Sequence, residues 1–152
     1  YLKKGKPLIG IRTANHAFTN RTKIEPGFED WPGFVSEILG CENRGYGPVE
    51  PGVNVTVIND AVNHPILQGI QTRQWHSEGN IYRVAPLLDK KATVLLTGNV
   101  QDITEPIAWI RKAGKSNESY TSFGYPTDFE STPFLTLLSN AIKWSLDKKA
   151  EF

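Results

Sequence analysis

The sequence predicts an α/β domain, and three observations lead there. Leu8-Ile9-Gly10-Ile11 is a short apolar run that passes directly into Arg12, Thr13, Asn15 and His16, the pattern of a buried strand emptying into a polar loop. Val94, Leu95 and Leu96 are contiguous, as expected of a strand covered on both faces. Near the carboxyl end, Phe34-like bulky residues recur at helical spacing: Phe134, Leu135, Leu137, Leu138, Ala141, Ile142 and Leu146 give one helix a broad apolar face. In an open α/β sheet ligands bind at the carboxyl ends of strands, so the junction after Ile11 is the first candidate site.

The elements follow in order. Residues 15–27 are polar and irregular, long for a plain connection, which suits a binding loop or lid. Asp30 then caps a helix with Pro32 in its first turn, Phe34, Val35, Ile38 and Leu39 form its buried face, and Gly40 ends it. Residues 45–52 hold three Gly and two Pro and read as a loop. Val53, Val55 and Val57 alternate with Asn54 and Thr56, a strand with one face to the core. His64 before Pro65 marks a turn, where a structural role suits it, and residues 75–80 form a polar knot before Ile81. Residues 106–111 and 119–123 flank a loop at 112–117 and suggest a hairpin. Gly124-Tyr125-Pro126-Thr127-Asp128 mirrors the loop after Arg12, so the two can wall one cleft. Ser131 or Thr132 caps the last helix, Pro133 sits in its first turn, and Lys143, Lys148 and Lys149 lie toward its negative end.

Composition narrows the function classes. With 152 residues, 39% of them hydrophobic, and a formal charge of +1, the chain is expected to form one domain over 1–152. Its basic groupings, Lys3, Lys4 and Lys6 and then Lys148 and Lys149, sit at the two ends of the sequence, whereas a phosphate-backbone binder gathers its charge into a stripe. No nucleic-acid partner is therefore expected. No apolar run reaches the roughly 18–20 residues of a membrane-spanning helix, so no membrane partner is expected either. The chain opens at Tyr1 without Met and shows no signal peptide, which leaves cytoplasm and periplasm both open. Cys41 is the single cysteine; it excludes an internal disulfide and a cysteine-rich metal site, and its place after Leu39-Gly40 predicts a buried structural thiol.

Candidate chemistry gathers at the polar loops. Arg12 offers a rigid fork of donors for an anionic or hydroxyl-rich ligand, or pins the strand end in a salt bridge; Thr13 beside it is assigned to the same binding role. His16 is a candidate general base, or a loop histidine bonded to backbone. His76 and Glu78, two apart, face one side if their segment is extended, and Glu78 is the carboxylate assigned to catalysis. Tyr125 and Asp128 are placed to orient hydroxyl groups, although Asp128 equally suits a turn cap. Trp109 and Trp144 fit core packing. No metal-ligand spacing, dinucleotide fingerprint or P-loop is present, so neither metal nor cofactor is expected.

Six blocks carry a resemblance: residues 7–18, Trp31 through Leu39-Gly40, His64-Pro65-Ile66-Leu67-Gln68-Gly69-Ile70, Pro106-Ile107-Ala108-Trp109, Tyr120-Thr121-Ser122-Phe123-Gly124-Tyr125, and Pro133-Phe134 leading into Asn140-Ala141-Ile142-Lys143-Trp144. In that order they resemble the ThuA-like trehalose-utilisation family, a branch of the class I glutamine-amidotransferase-like fold. The resemblance implies a three-layer flavodoxin-like sandwich with a mostly parallel sheet, of which this chain is the C-terminal two thirds without its N-terminal elements. Leu8–Ile11 would then be an interior strand needing a neighbour on both edges, supplied by a missing N-terminal segment or by a second copy in a homo-oligomer. It also implies carbohydrate metabolism, with a sugar or keto-sugar bound or transformed at Arg12, Thr13, His16, Glu78, Tyr125 and Asp128. The alternative is a noncatalytic binding or accessory domain. Amidotransferases of this fold carry a nucleophilic Cys in the turn that here reads Arg12-Thr13-Ala14, and glutaminase chemistry is excluded accordingly. Tyr125 stands where similar proteins have a His, and Glu42-Asn43-Arg44-Gly45-Tyr46 replaces a loop that is His-rich in many relatives.

Overall fold

A computed structural model of the chain describes residues 1–18 and 24–147. Six strands form one sheet: β1 (Leu8–Ile11), β2 (Val53–Val57), β3 (Gln74–Ser77), β4 (Thr93–Val100), β5 (Ile103–Ala113) and β6 (Ser116–Thr121), in the order β1-β6-β5-β4-β2-β3. Only the β1–β6 pair is parallel; the four others are antiparallel. The sheet is a curled, mostly antiparallel half-barrel, and the expected mostly parallel flavodoxin-like sandwich is wrong for this chain.

Connection length explains the difference. A parallel neighbour needs a crossover of a dozen or more residues, whereas β4, β5 and β6 are joined by turns of two residues and must run antiparallel. The hairpin turn is Gly114-Lys115 alone, because β5 and β6 both extend into the stretch expected to be loop. The contiguous Val94-Leu95-Leu96 run is covered on both faces as expected, Leu95 and Leu96 in one core and Val94 against the other, but its neighbours β2 and β5 are antiparallel. The β4–β5 register slips between Val94 and Leu96 and again between Leu96 and Thr97, and such irregularities break the strict alternation of faces.

Other elements stand closer to expectation. Val53, Val55 and Val57 are buried and Asn54 is exposed. Phe34–Leu39 is a single π-helical turn, ended by Gly40 at φ +73°. Gly33 precedes it, so Asp30 is not its cap. The last helix, α1 (Thr132–Leu146), follows Ser131 and has Pro133 in its first turn. Lys143 lies in its last turn, while Lys148 and Lys149 fall outside the described residues, as do residues 19–23 of the long loop.

The two faces of the sheet have separate cores. On one, Phe134, Leu137, Ala141 and Trp144 of α1 pack against Val55, Leu95, Leu96, Ile107 and Ile110. On the other, Phe34, Val35, Ile38 and Leu39 pack with Tyr82, Trp109 and Tyr120, and Trp109 Nε1–H donates to the Leu39 carbonyl at 2.9 Å. Cys41 is fully buried in this second core, and burial pushes its thiol up to about 12. Strand β1 lies at the edge of the sheet, bonded among the described residues to β6 alone, so one of its edges has no strand neighbour among them. Among the described residues no helix is long and apolar enough to cross a membrane.

Candidate functional site

Strands β1, β3 and β6 end on the same side of the sheet, where the polar loops after Ile11, Ser77 and Thr121 meet. Ile11 lies opposite Thr121, and Ser77 opposite Val53 at the start of β2. The loop of residues 45–52 folds over this end. Gly47 N–H donates to the Ile81 carbonyl at 2.9 Å, and Asn80 Nδ2 donates to the Gly47 carbonyl at 3.1 Å.

A surface groove of about 340 Å³ opens there, lined by Val49, Glu50, Pro51, Gly52, His76, Glu78 and Tyr125. Small-molecule sites span about 300–1,000 Å³, so this groove is at the small end of that range. His76 is held by a 3.0 Å contact between its Nδ1 and Asn54 Oδ1 on the neighbouring strand. His76, within β3, and Glu78, in the bend just beyond its end, both line this groove.

Arg12 stands behind the wall. It follows β1 with φ +48°, a left-handed conformation that a non-glycine residue adopts at a cost of roughly 1–2 kcal/mol. Tyr120 Oη–H donates to its carbonyl at 2.8 Å and helps hold that backbone. The guanidinium lies between two rings, 5.4 Å from the centre of Tyr82 and 5.2 Å from that of Tyr125, and Nη2 donates to Asn80 Oδ1 at 2.6 Å. Its Nη1 is shielded from solvent and has no hydrogen-bond partner among the described residues. Burial pushes the Tyr82 phenol above its ordinary value, with Arg12 pulling the opposite way, and burial raises Tyr120 well above its own. Among the described residues no acidic partner pins Arg12; the rings and an amide hold it.

Asp128 is 4% exposed. Its Oδ1 accepts from Ser77 Oγ at 2.6 Å, and its Oδ2 accepts from the Gly124 and Tyr125 amides, both at 2.9 Å. This is the turn-cap role, extended across the fold to β3. Gly79 fits tightly beside it: a Cβ at that position would lie 3.0 Å from Tyr125 Cβ and 3.2 Å from Arg12 Nη1. His16 packs in an aromatic shelf, 5.5 Å from the Tyr82 ring and 5.9 Å from the Tyr46 ring, and does not line the groove. Thr13 is exposed and also outside the lining. His64 makes its turn, with Nδ1 accepting from the Ile66 amide at 3.2 Å. Among the described residues no three His, Cys, Asp or Glu side chains are grouped so as to hold a metal ion.

The sequence pattern of the ThuA family, described as trehalose utilisation, matches residues 1–145. The chain belongs to the ThuA family. No curated protein matches it. Among solved structures it is similar to a putative ThuA-like protein from Bacteroides uniformis, with a TM-score of 0.68 and 20% identity over 95% of this chain and 60% of that one. It is also similar to the cytoplasmic protein STM3548 from Salmonella typhimurium, with a TM-score of 0.61 and 16% identity over 95% of this chain and 57% of that one. At these identities the likeness is one of fold, and this ThuA chain spans about three fifths of the length of either relative.

Within the ThuA fold of this chain, sequence reasoning missed Glu50, Asn80 and Ser77. Glu50 lay in a segment read only as loop, and Asn80 and Ser77 in a knot where Glu78 and His76 drew attention. The available signal was the number of polar residues between Trp75 and Ile81, more than one strand end requires.

Proposed function

We propose that the chain binds or transforms a sugar or keto-sugar in the groove lined by Glu50, His76, Glu78 and Tyr125. One observation supports this most directly. A histidine, two carboxylates and a tyrosine face a single groove at the carboxyl ends of the strands, in a chain of a trehalose-utilisation family. Carboxylates accept hydrogen bonds from sugar hydroxyls, and an aromatic ring offers a flat apolar wall to a sugar face. In this reading Glu78 or His76 moves the proton, since both reach the groove. Arg12 and Asp128 fix the Tyr125 wall from behind, and His16 packs the adjoining shelf.

The second reading is a noncatalytic sugar-binding domain. It is favoured by the strained turn after β1, which holds a half-buried arginine where the resemblance to amidotransferases would place a nucleophilic cysteine. A panel of disaccharides, monosaccharides and their keto derivatives, titrated while amide and side-chain resonances are followed, tests both. Shifts centred on His76, Glu78 and Tyr125 support the site, and shifts confined elsewhere remove it. Turnover lost in Glu78→Gln and His76→Ala, with binding retained, selects the enzyme; binding without turnover selects the second reading.

A further inference from the structure

The fold assembles a basic face that the linear sequence does not show. At the end of the sheet opposite the groove, Lys3, Lys4 and Lys6 precede β1, Lys112 lies near the end of β5 and Lys115 in the β5–β6 turn, and Lys90 and Lys91 precede β4; all seven side chains are exposed. Backbone contacts bring these segments together. Ser116 Oγ donates to the Lys6 carbonyl at 2.6 Å, and Gly5 lies so close to Lys115 that a Cβ on it would be 3.1 Å from that carbonyl oxygen. Thr93 pairs with Ile110, which sets Lys91 near the level of Lys112. β1, β6, β5 and β4 are consecutive neighbours in the sheet, so the lysines form a band about 14 Å across.

Little acidic charge offsets this band. Arg111 pairs with two carboxylates, Asp89 at 2.8 Å and the buried Glu118 at 3.3 Å, and Lys91 also acts on Asp89. Lys3, Lys4, Lys6, Lys90, Lys91 and Lys115 make no ion pair among the described residues. The residues themselves discriminate between polyanions. No exposed arginine fork for base edges stands among them, whereas Leu88, 43% exposed and two residues before Lys90, adds an apolar group suited to a headgroup layer. Lysines held together near a surface are attracted by the negative potential of an anionic leaflet.

We propose that this lysine band docks the chain on an anionic phospholipid surface, with the groove at the far end of the sheet facing solution. Such attraction falls off within a Debye length and is therefore salt-sensitive. The test is co-sedimentation of the whole chain with vesicles of phosphatidylcholine alone and of phosphatidylcholine with phosphatidylserine. The chain is expected to pellet only with the anionic vesicles and to be released by added salt. A Lys6→Glu, Lys91→Glu, Lys115→Glu triple variant should lose roughly a hundredfold in partitioning, while the corresponding Arg triple keeps it. All three positions are exposed, and circular dichroism checks the fold; should the Glu triple not fold, lipid composition and salt decide on the unaltered chain. Equal pelleting with both vesicles, pelleting with neither, or tighter binding to duplex DNA at the same ionic strength would overturn the proposal.

Discussion

Ser77 Oγ donates a 2.6 Å hydrogen bond to Asp128 Oδ1, tying the end of β3 to the turn that presents Tyr125. The two sides of the groove therefore share one buried carboxylate. Replacing Asp128 with Ala leaves the Gly124 and Tyr125 amides and the Ser77 hydroxyl without their acceptor, at an expected cost of about 2–4 kcal/mol in urea denaturation. Ser77→Ala removes the bond to Asp128 and the longer 3.3 Å bond that the hydroxyl accepts from the Gly79 amide, leaves the two amide bonds to Asp128 in place, and should cost about 1–2 kcal/mol. Equal stability of the two variants would show that the carboxylate is not the shared anchor.

Gly52 makes a second prediction. It has φ +82°, and a Cβ there would lie 2.5 Å from the Ser77 carbonyl oxygen and 2.6 Å from His76 Nε2. The carbonyl is backbone and cannot step aside cheaply. Gly52→Ala is expected to destabilise by about 1–3 kcal/mol and to displace the imidazole from the groove. Thermal unfolding measures the first effect, and the His76 titration followed by NMR the second. An unchanged imidazole environment would refute the packing described.

Glu118 gives the chain a pH dependence. It is 2% exposed, and burial raises its carboxyl to about 7 despite Arg111 beside it. A carboxyl with a raised folded-state pKa binds its proton more tightly folded than unfolded. Its contribution is fully present below the ordinary value of 4.5, declines as pH rises toward about 7, and is level above that. The slope cannot exceed about 1.4 kcal/mol per pH unit for one proton. Glu118→Gln should flatten stability across this window. Asp89 acts in the opposite sense. Burial raises it, but the Lys91 amide and Arg111 together hold it below its ordinary value, so its contribution is lost only as pH falls through the acid range. A Glu118→Gln profile still sloping between pH 4.5 and 7 would assign the effect elsewhere.

Local signals in the sequence were read well where one residue decided the geometry, and poorly where partners far apart did. Gly40 ends its helix, Pro133 opens α1, and Val53, Val55 and Val57 alternate into the core because each effect acts within a few residues. Strand direction is set by connection length: β4 is buried on both faces, as its contiguous apolar run predicts, yet the two-residue turns joining β4, β5 and β6 make it antiparallel, against the mostly parallel sheet that the resemblance implied. β3 reads in the sequence as a polar knot because it is an edge strand, paired among the described residues to β2 alone, and Trp75 is the one apolar residue of its four. At the site, His76 and Glu78 both line the groove. The burial of Asp128 and the stacking of Arg12 depend on Ser77, Tyr82 and Tyr125, which no spacing rule connects to them.

Cys41 should be chemically silent in the folded chain. A thiol needs its thiolate to react, and burial holds this one protonated up to about 12. Labelling with an aromatic disulfide reagent is expected to proceed at the rate of unfolding, accelerating in urea. Stoichiometric labelling within seconds in native buffer would contradict the burial assigned to it.

Arg12 separates backbone strain from side-chain contact. Its φ of +48° is costly for any residue with a Cβ, and the structure sustains it through the Tyr82 and Tyr125 rings, Asn80 Oδ1 and the Tyr120 hydroxyl on its carbonyl. Arg12→Ala removes the stack and the Asn80 bond while keeping the strain. Arg12→Gly removes the same contacts but relieves the strain. In an ordinary strand or helix glycine is less stable than alanine by roughly 0.5–1 kcal/mol. Here the order should reverse, with Gly the more stable by about 1 kcal/mol in urea denaturation, because the left-handed penalty outweighs the glycine entropy. Both variants should weaken sugar binding alike, since both free Tyr125 from its cation. Alanine at least as stable as glycine would mean that the turn relaxes out of the left-handed region once the guanidinium is gone, making the rings and not the chain path the source of the conformation.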